Sequence, residues 1–180
     1  GLGGAYTAIS DDASGLFYNP AGIVFSDDLK LTGSAHAYHS TTKKYKGVLG
    51  GGDWTRESSS LIPNFFGMTN HLGDDYFGFS YAVPDSIIEN QDSRFTNLTG
   101  ISDYIVNVDI YDNTTLLGVS YATALSDTLN FGVTFYLHTR EKKLTTNQWI
   151  QRTDNRFEWS NIYNENEETG YLPILGLLWS

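Results

Sequence analysis

The stretch Thr128 to Arg140 alternates with a period of two for its whole length. Leu129, Phe131, Val133, Phe135 and Leu137 fall on one side and Asn130, Gly132, Thr134, Tyr136 and His138 on the other. Successive strand side chains point to opposite faces, so this is a strand between two different media. Tyr76 to Pro84 repeats the pattern with bulky Phe77, Phe79, Tyr81 and Val83 opposed to small Gly78, Ser80 and Ala82. Thr115 to Ala124 sets Leu117, Val119 and Tyr121 against Leu116, Gly118, Ser120 and Ala122. Leu29 to His39 sets Leu31, Gly33, Ala35 and Ala37 against Lys30, Thr32, Ser34 and His36. Ser58 to Leu72 reads as a further strand, bulged or kinked at Pro63 because proline cannot donate to a ladder, and a sixth begins near Thr169.

The connections alternate in length. Gly73 to Asp75 and Leu125 to Asp127 read as tight turns, whereas Thr41 to Glu57, Asp85 to Asp112 and Glu141 to Glu168 read as long polar loops. Within the second of these, Tyr104 to Tyr111 alternates enough to extend the following strand. That loop holds six acids against the single Arg94, half of the chain's formal charge of -10. Short turns on one side and long loops on the other are the pattern of an antiparallel transmembrane β-barrel. A soluble β-sandwich also alternates apolar with polar residues, but the length asymmetry and the small-residue face favour a barrel wall. Six strands do not close a barrel, which needs at least about eight. No stretch approaches the roughly 20 apolar residues of a membrane helix. With no initiator Met, no signal peptide and a last apolar run, Leu172 to Trp179, that stops in mid-strand, the chain reads as a processed or excised segment.

Several kinds of chemistry are disfavoured. With no cysteine there is neither a disulfide framework nor a thiolate metal site, which fits passage through an oxidising periplasm. The acidic balance argues against nucleic acid as a partner, the only local basic run being Lys43-Lys44-Tyr45-Lys46. His36 and His39, three apart on a strand, face opposite ways and do not share a metal. Gly1-Leu-Gly-Gly lacks the preceding strand and the spacing of a dinucleotide loop, and no Gly-x-Ser-x-Gly nucleophile turn occurs. The pairs Asp11-Asp12, Asp27-Asp28 and Asp74-Asp75 sit beside turns, where aspartate serves the backbone. The sequons at Asn97 and Asn113 need a eukaryotic secretory route and are discounted. No enzyme activity and no cofactor are expected. Trp54, Trp149, Trp159 and Trp179, placed near strand ends, are candidates for an aromatic girdle or for loop packing.

The chain begins with Gly1 to Gly22, GLGGAYTAISDDASGLFYNPAG, too rich in small residues for an amphipathic helix and too short of alternation for a strand. It reads as a compact plug. Gly1, Gly3 and Gly4 permit close approaches, Asp11, Asp12 and Ser14 can start a helical turn, and Pro20 pushes Asn19 to an extended conformation from which its side chain caps the turn that Gly22 ends. Through GGAYTAISDDAS and LFYNPAG the segment resembles the amino-terminal hatch of the FadL/TodX family of outer-membrane transport proteins, whose Asn-Pro-Ala signature stands here as Asn19, Pro20 and Ala21. The resemblance is strongest over Gly3 to Gly22 and looser around Pro63-Asn64, Gly78 to Pro84 and Leu175 to Trp179. It implies a hatch over residues 1–28 and the first part of a fourteen-stranded barrel over 29–180 in a bacterial outer membrane. The implied activity is passive uptake of hydrophobic molecules such as long-chain fatty acids or aromatic hydrocarbons, with membrane lipid and lipopolysaccharide as surroundings. Related barrels include secretion-system shuttles, often with Trp at the place of Tyr18, so a shuttle that holds a protein cargo is the alternative. The family's ligand contacts form no motif that can be placed here.

Overall fold

The computed structural model describes residues 13–26, 29–34, 38–49, 52–61, 64–96 and 98–179. Apart from a short amino-terminal helical segment, everything described belongs to one antiparallel sheet: β1 (Lys30–Gly33), β2 (Tyr38–Leu49), β3 (Gly52–Leu61), β4 (Asn64–Leu72), β5 (Asp75–Phe95), β6 (Ile101–Ser126), β7 (Leu129–Arg152) and β8 (Phe157–Trp179). The main path is β1-β4-β5-β6-β7-β8, with β2 paired to β3 and β3 also to β5.

Register aligns the eight elements along six lines. Lys30 opposes Thr69 and Tyr38 opposes Leu61, so the step up the first strand equals the step down the second across the break. In the same way Ser59 opposes Ile88 and Asn64 opposes Val83, which puts β3 and β4 in one line along β5. The bulge or kink expected at Pro63, like His36 and the Gly1 to Asp12 part of the plug, falls outside the described residues. A bulge lies elsewhere, at Pro84. Ala82 opposes Leu116 and Asp85 opposes Thr114, leaving one extra residue on β5 and exchanging its two faces beyond the bulge.

Two of the turns agree with the sequence to within a residue. Gly73 and Asp74 link the paired Leu72 and Asp75, with Gly73 at φ 64°, the left-handed conformation that a two-residue hairpin requires. Asp127 and Thr128 link Ser126 to Leu129, and the Ser126 hydroxyl accepts from the amides of both Thr128 and Leu129.

The three expected long loops are strands instead. Residues 41–49 and 52–57 pair as β2 with β3, residues 85–95 and 101–112 are the upper parts of β5 and β6, and residues 141–152 and 157–168 those of β7 and β8. Among the described residues of these stretches, the links at 98–100 and 153–156 turn the chain, with Gly100 and Asn155 at positive φ. Backbone pairing satisfies amide groups whatever the side chains are, so a polar composition does not oppose a ladder. Cross-strand pairs then add to it: Lys143 opposes and salt-bridges Glu165 at 3.2 Å, and Arg152 reaches Glu158.

The two faces differ as the alternation predicts. On one, which we call outer, Leu129, Phe131, Val133, Phe135 and Leu137 of β7 lie beside Trp179, Leu177, Leu175, Pro173 and Tyr171 of β8 and, on the other side, Val119 and Leu117 of β6. Much of this apolar surface is open: Phe135 is 56% exposed, Leu175 72% and Val119 60%. From Leu129 to Leu137 the band runs about 26 Å along the strand at ~3.3 Å per residue. It ends abruptly, the next outer partners being Thr139 with Thr169 and then Glu141 with Glu167. The opposite, inner face is small and buried, with Ser80, Ala82, Ser120, Ala122, Asn130 and Thr134 all under a tenth exposed.

Candidate functional site

The inner face carries the amino-terminal segment. Helix α1 (Gly15–Tyr18) begins after Ser14 and passes into Asn19, which is extended at φ -154° and ψ 97°. Pro20 explains that conformation, since its ring disfavours a helical predecessor. A 3-10 helix, Pro20–Phe25, follows with proline in its first turn, and the Asn19 Oδ1 accepts from the Ala21 amide at 3.2 Å. Gly22 does not end this turn, as its sequence position suggested. Its amide donates to the Asn19 carbonyl, and the turn runs on until Ser26 N–H closes on the Ile23 carbonyl at 2.9 Å.

Packing and hydrogen bonds hold the segment across five strands. Leu16, Ala13 and Ile23 are fully buried against Ala122 of β6, with Val24 and Tyr76 at the margin. Phe17 packs with Phe65 and Ile174 on the cluster of Ala82, Leu116 and Tyr136, and meets the Tyr136 ring edge-on at 6.1 Å. The Thr134 hydroxyl donates to the Leu16 carbonyl at 2.8 Å, so the 2.7 Å bond between Ser120 and Thr134 is donated by Ser120. Ser26 meets Thr69 of β4 at 3.2 Å, and Asn19 Nδ2 donates to the Leu177 carbonyl of β8 at 3.3 Å. The Tyr136 hydroxyl bonds Ser80 at 2.7 Å.

Strand glycines make the close approach possible. A Cβ at Gly78 would overlap the Leu16 methyls, one at Gly132 the backbone of Pro20 and Ala21, and one at Gly176 the Asn19 Oδ1. The sequence-predicted Asn19, Pro20 and Ala21 sit together at the contact with β7 and β8. Missed were Thr134, Ser120, Thr69, Gly132 and Gly176. A glycine inside a strand marks a bulge or a close backbone approach, and that signal was present at Gly132 and Gly176.

No protein-family model, no curated protein and no solved structure matches this chain.

Above the segment the inner face becomes charged and then apolar again. Arg140 donates to both oxygens of Asp112 at 2.8 and 2.7 Å, Lys142 stands 3.7 Å away, and Arg56 pairs with the nearly buried Glu89. The hydrogen bonds from Arg140 hold the Asp112 carboxyl below its ordinary range, against the desolvation that would raise it. Beyond this belt Trp54 donates to Ser93 at 3.2 Å and stacks with Tyr45, with Phe95 edge-on at 6.3 Å and Arg56 over its face at 5.4 Å. Phe95 in turn stacks on Tyr104 at 5.7 Å beside the buried Val106. A recess of about 510 Å³ opens on the same face between Lys142, Leu144, Asn164 and Asn166.

The tryptophans are not one girdle. Trp54 packs the β2–β3 hairpin, and Trp149 and Trp159 are direct cross-strand partners near the far end of β7 and β8, well beyond the apolar band. Trp179 alone lies in the band, opposite Leu129. Among the described residues one trio of carboxylates, Glu141, Glu165 and Glu167, is close enough to share a cation, but Lys143 already bridges two of them at 2.5 and 3.2 Å. Asp75 accepts from the Tyr121 hydroxyl at 2.7 Å, which gives that member of the Asp74-Asp75 pair a structural role.

Proposed function

We propose that the chain forms part of a FadL-like barrel in a bacterial outer membrane, passing hydrophobic molecules such as long-chain fatty acids or aromatic hydrocarbons, with residues 1–28 as its hatch. The observation that carries this reading is the opposition of the two faces: an exposed apolar outer band of membrane-spanning height, directly behind an inner face occupied by the Asn19-Pro20-Ala21 turn. A sheet whose outer side-chain row is apolar for nine to eleven residues and then turns polar suits a bilayer wall. An aqueous barrel needs its interior filled if it is to pass apolar cargo without leaking solutes, and the segment supplies that filling. The half-buried Phe17, Phe65 and Ile174 on one side of the charged belt, and Tyr104 on the other, offer such cargo successive places to rest.

The secretion-shuttle reading draws on the β5–β8 ribbons, which continue past the band as a broad, largely polar surface able to hold a protein. Uptake separates the two. Cells producing the full-length protein should take up a radiolabelled long-chain fatty acid or toluene faster than cells lacking it, and Asn19→Ala should lower that uptake with the barrel still folded. Uptake at the background level for both compounds, together with retention of a protein cargo at the ribbons, would move the shuttle ahead.

A further inference from the structure

We propose that Asn19 and the paired glycines Gly132 and Gly176 form a latch that fixes the amino-terminal segment in its closed position; the inference rests on reading that segment as a gate. Gly132 and Gly176 oppose each other directly in the β7–β8 register, and Ala122 opposes Gly132 on the β6 side. The row Ala122, Gly132, Gly176 is thus a trough across three strands, and the turn at Pro20 and Ala21 lies in it. Neither glycine has a left-handed backbone, unlike Gly73 or Gly100, so the requirement is for space and not for conformation.

What a side chain would strike differs between the glycines of the inner face. At Gly78 it would meet the methyls of Leu16, which can rotate away. At Gly132 it would meet the backbone of Pro20 and Ala21, and at Gly176 the Asn19 Oδ1 and the Ala21 amide nitrogen, which the cap holds in place. Asn19 does two jobs with one amide: Oδ1 fixes the shape of the turn through Ala21, and Nδ2 fixes its place on the wall through the Leu177 carbonyl. At 7% exposed, it is shielded from competing water. The turn is held by shape at the trough and by the Asn19 amide at its rim, and a ligand shifts it only by as much as it prefers the unseated state.

The test reads segment position apart from transport. In the full-length barrel, a single cysteine introduced at the fully buried Ile23 should react slowly with a water-soluble maleimide. Gly132→Ala and Gly176→Ala should each speed labelling by roughly tenfold or more, the shift expected when the seated state loses its preference. Gly170→Ala, where a Cβ would meet nothing within 4 Å, should label at the parent rate. Asn19→Asp keeps an oxygen for the Ala21 cap but turns the donor to Leu177 into an acceptor facing that carbonyl, and should speed labelling by more than about fivefold, the lost hydrogen bond of about 1 kcal/mol being augmented by the buried carboxylate. That change lies outside the sheet and does not depend on strands tolerating an added methyl. Parent-rate labelling in both glycine variants and in Asn19→Asp, with the barrel folded by its heat-modifiable migration, would overturn the latch. Faster labelling with unchanged ion conductance in planar bilayers would keep the latch and remove the gate.

Discussion

Val133 and Thr134 are neighbours in the chain with opposite surroundings. Val133 lies in the outer apolar band, whereas Thr134 is fully buried between Ser120 and the Leu16 carbonyl. On the proposed bilayer wall, arginine at Val133 of the full-length protein should cost about 2 to 4 kcal/mol in lipid-vesicle unfolding measurements, the depth-dependent penalty near a bilayer midplane. Alternation alone would make Thr134 the inexpensive control, but the amino-terminal segment leaves no room there. His138, half-buried on the inner face above the segment, is the control, and His138→Arg should cost little. Equal costs at Val133 and His138 would contradict the orientation of β7. Asp112 gives a second expectation at this scale. Because Arg140 depresses its folded pKa, its ionised form stabilises the protein at neutral pH, and that contribution is lost as pH falls through the folded value. The stability difference between the parent and Asp112→Asn, followed by thermal melting, should be constant from pH 7 to about 5 and shrink below about pH 4.

At the scale of the element, the ribbons decide where a protease can act. Lys142 and Lys143 lie inside paired β7, as Arg140 and Arg94 lie inside β7 and β5. Arg156 stands in the short 153–156 connection, and Arg152 closes β7 beside it. A paired strand does not fit a protease cleft, so trypsin added to intact cells should cut after Arg152 or Arg156 and spare Lys142 and Lys143, as read by mass spectrometry. Cutting spread evenly through 141–168 would restore the long loop that polar composition suggests. Cutting only after the outer membrane is opened would reverse the orientation. Gly73 to Asp75 and Leu125 to Asp127, at the opposite end of the strands, carry no Lys or Arg, so their protection on intact cells is read with a protease of broad specificity such as proteinase K.

For the whole molecule, the segment is joined to β4, β7 and β8 by the bonds of Ser26, Leu16 and Asn19 and packs on Ala122 of β6. Removing residues 1–22 from the full-length protein takes away Leu16 and the Asn19-Pro20-Ala21 turn, and with them the cover of Gly78, Gly132 and Gly176. It should raise ion conductance in planar bilayers while the barrel remains folded, because the wall's own ladders do not depend on the segment. Unchanged conductance would sink the hatch reading and leave the segment a structural filling.

The sequence by itself determined the faces of the strands, the two tight turns and the Asn19–Pro20 cap, because alternation, a left-handed glycine and proline's effect on its predecessor act within a few residues. It also placed the strand over Tyr104 to Tyr111, now inside β6. Tertiary structure decided the rest. A polar strand and a polar loop have the same composition, and only a partner with its amides in register makes Glu141 to Glu168 a ribbon. Likewise Gly132 and Gly176 lie more than a hundred residues from Asn19, and nothing local says that the space they leave is filled by that turn. The folded sheet brings them together, because the backbone of Pro20 and Ala21 fits only where two strands side by side lack a side chain.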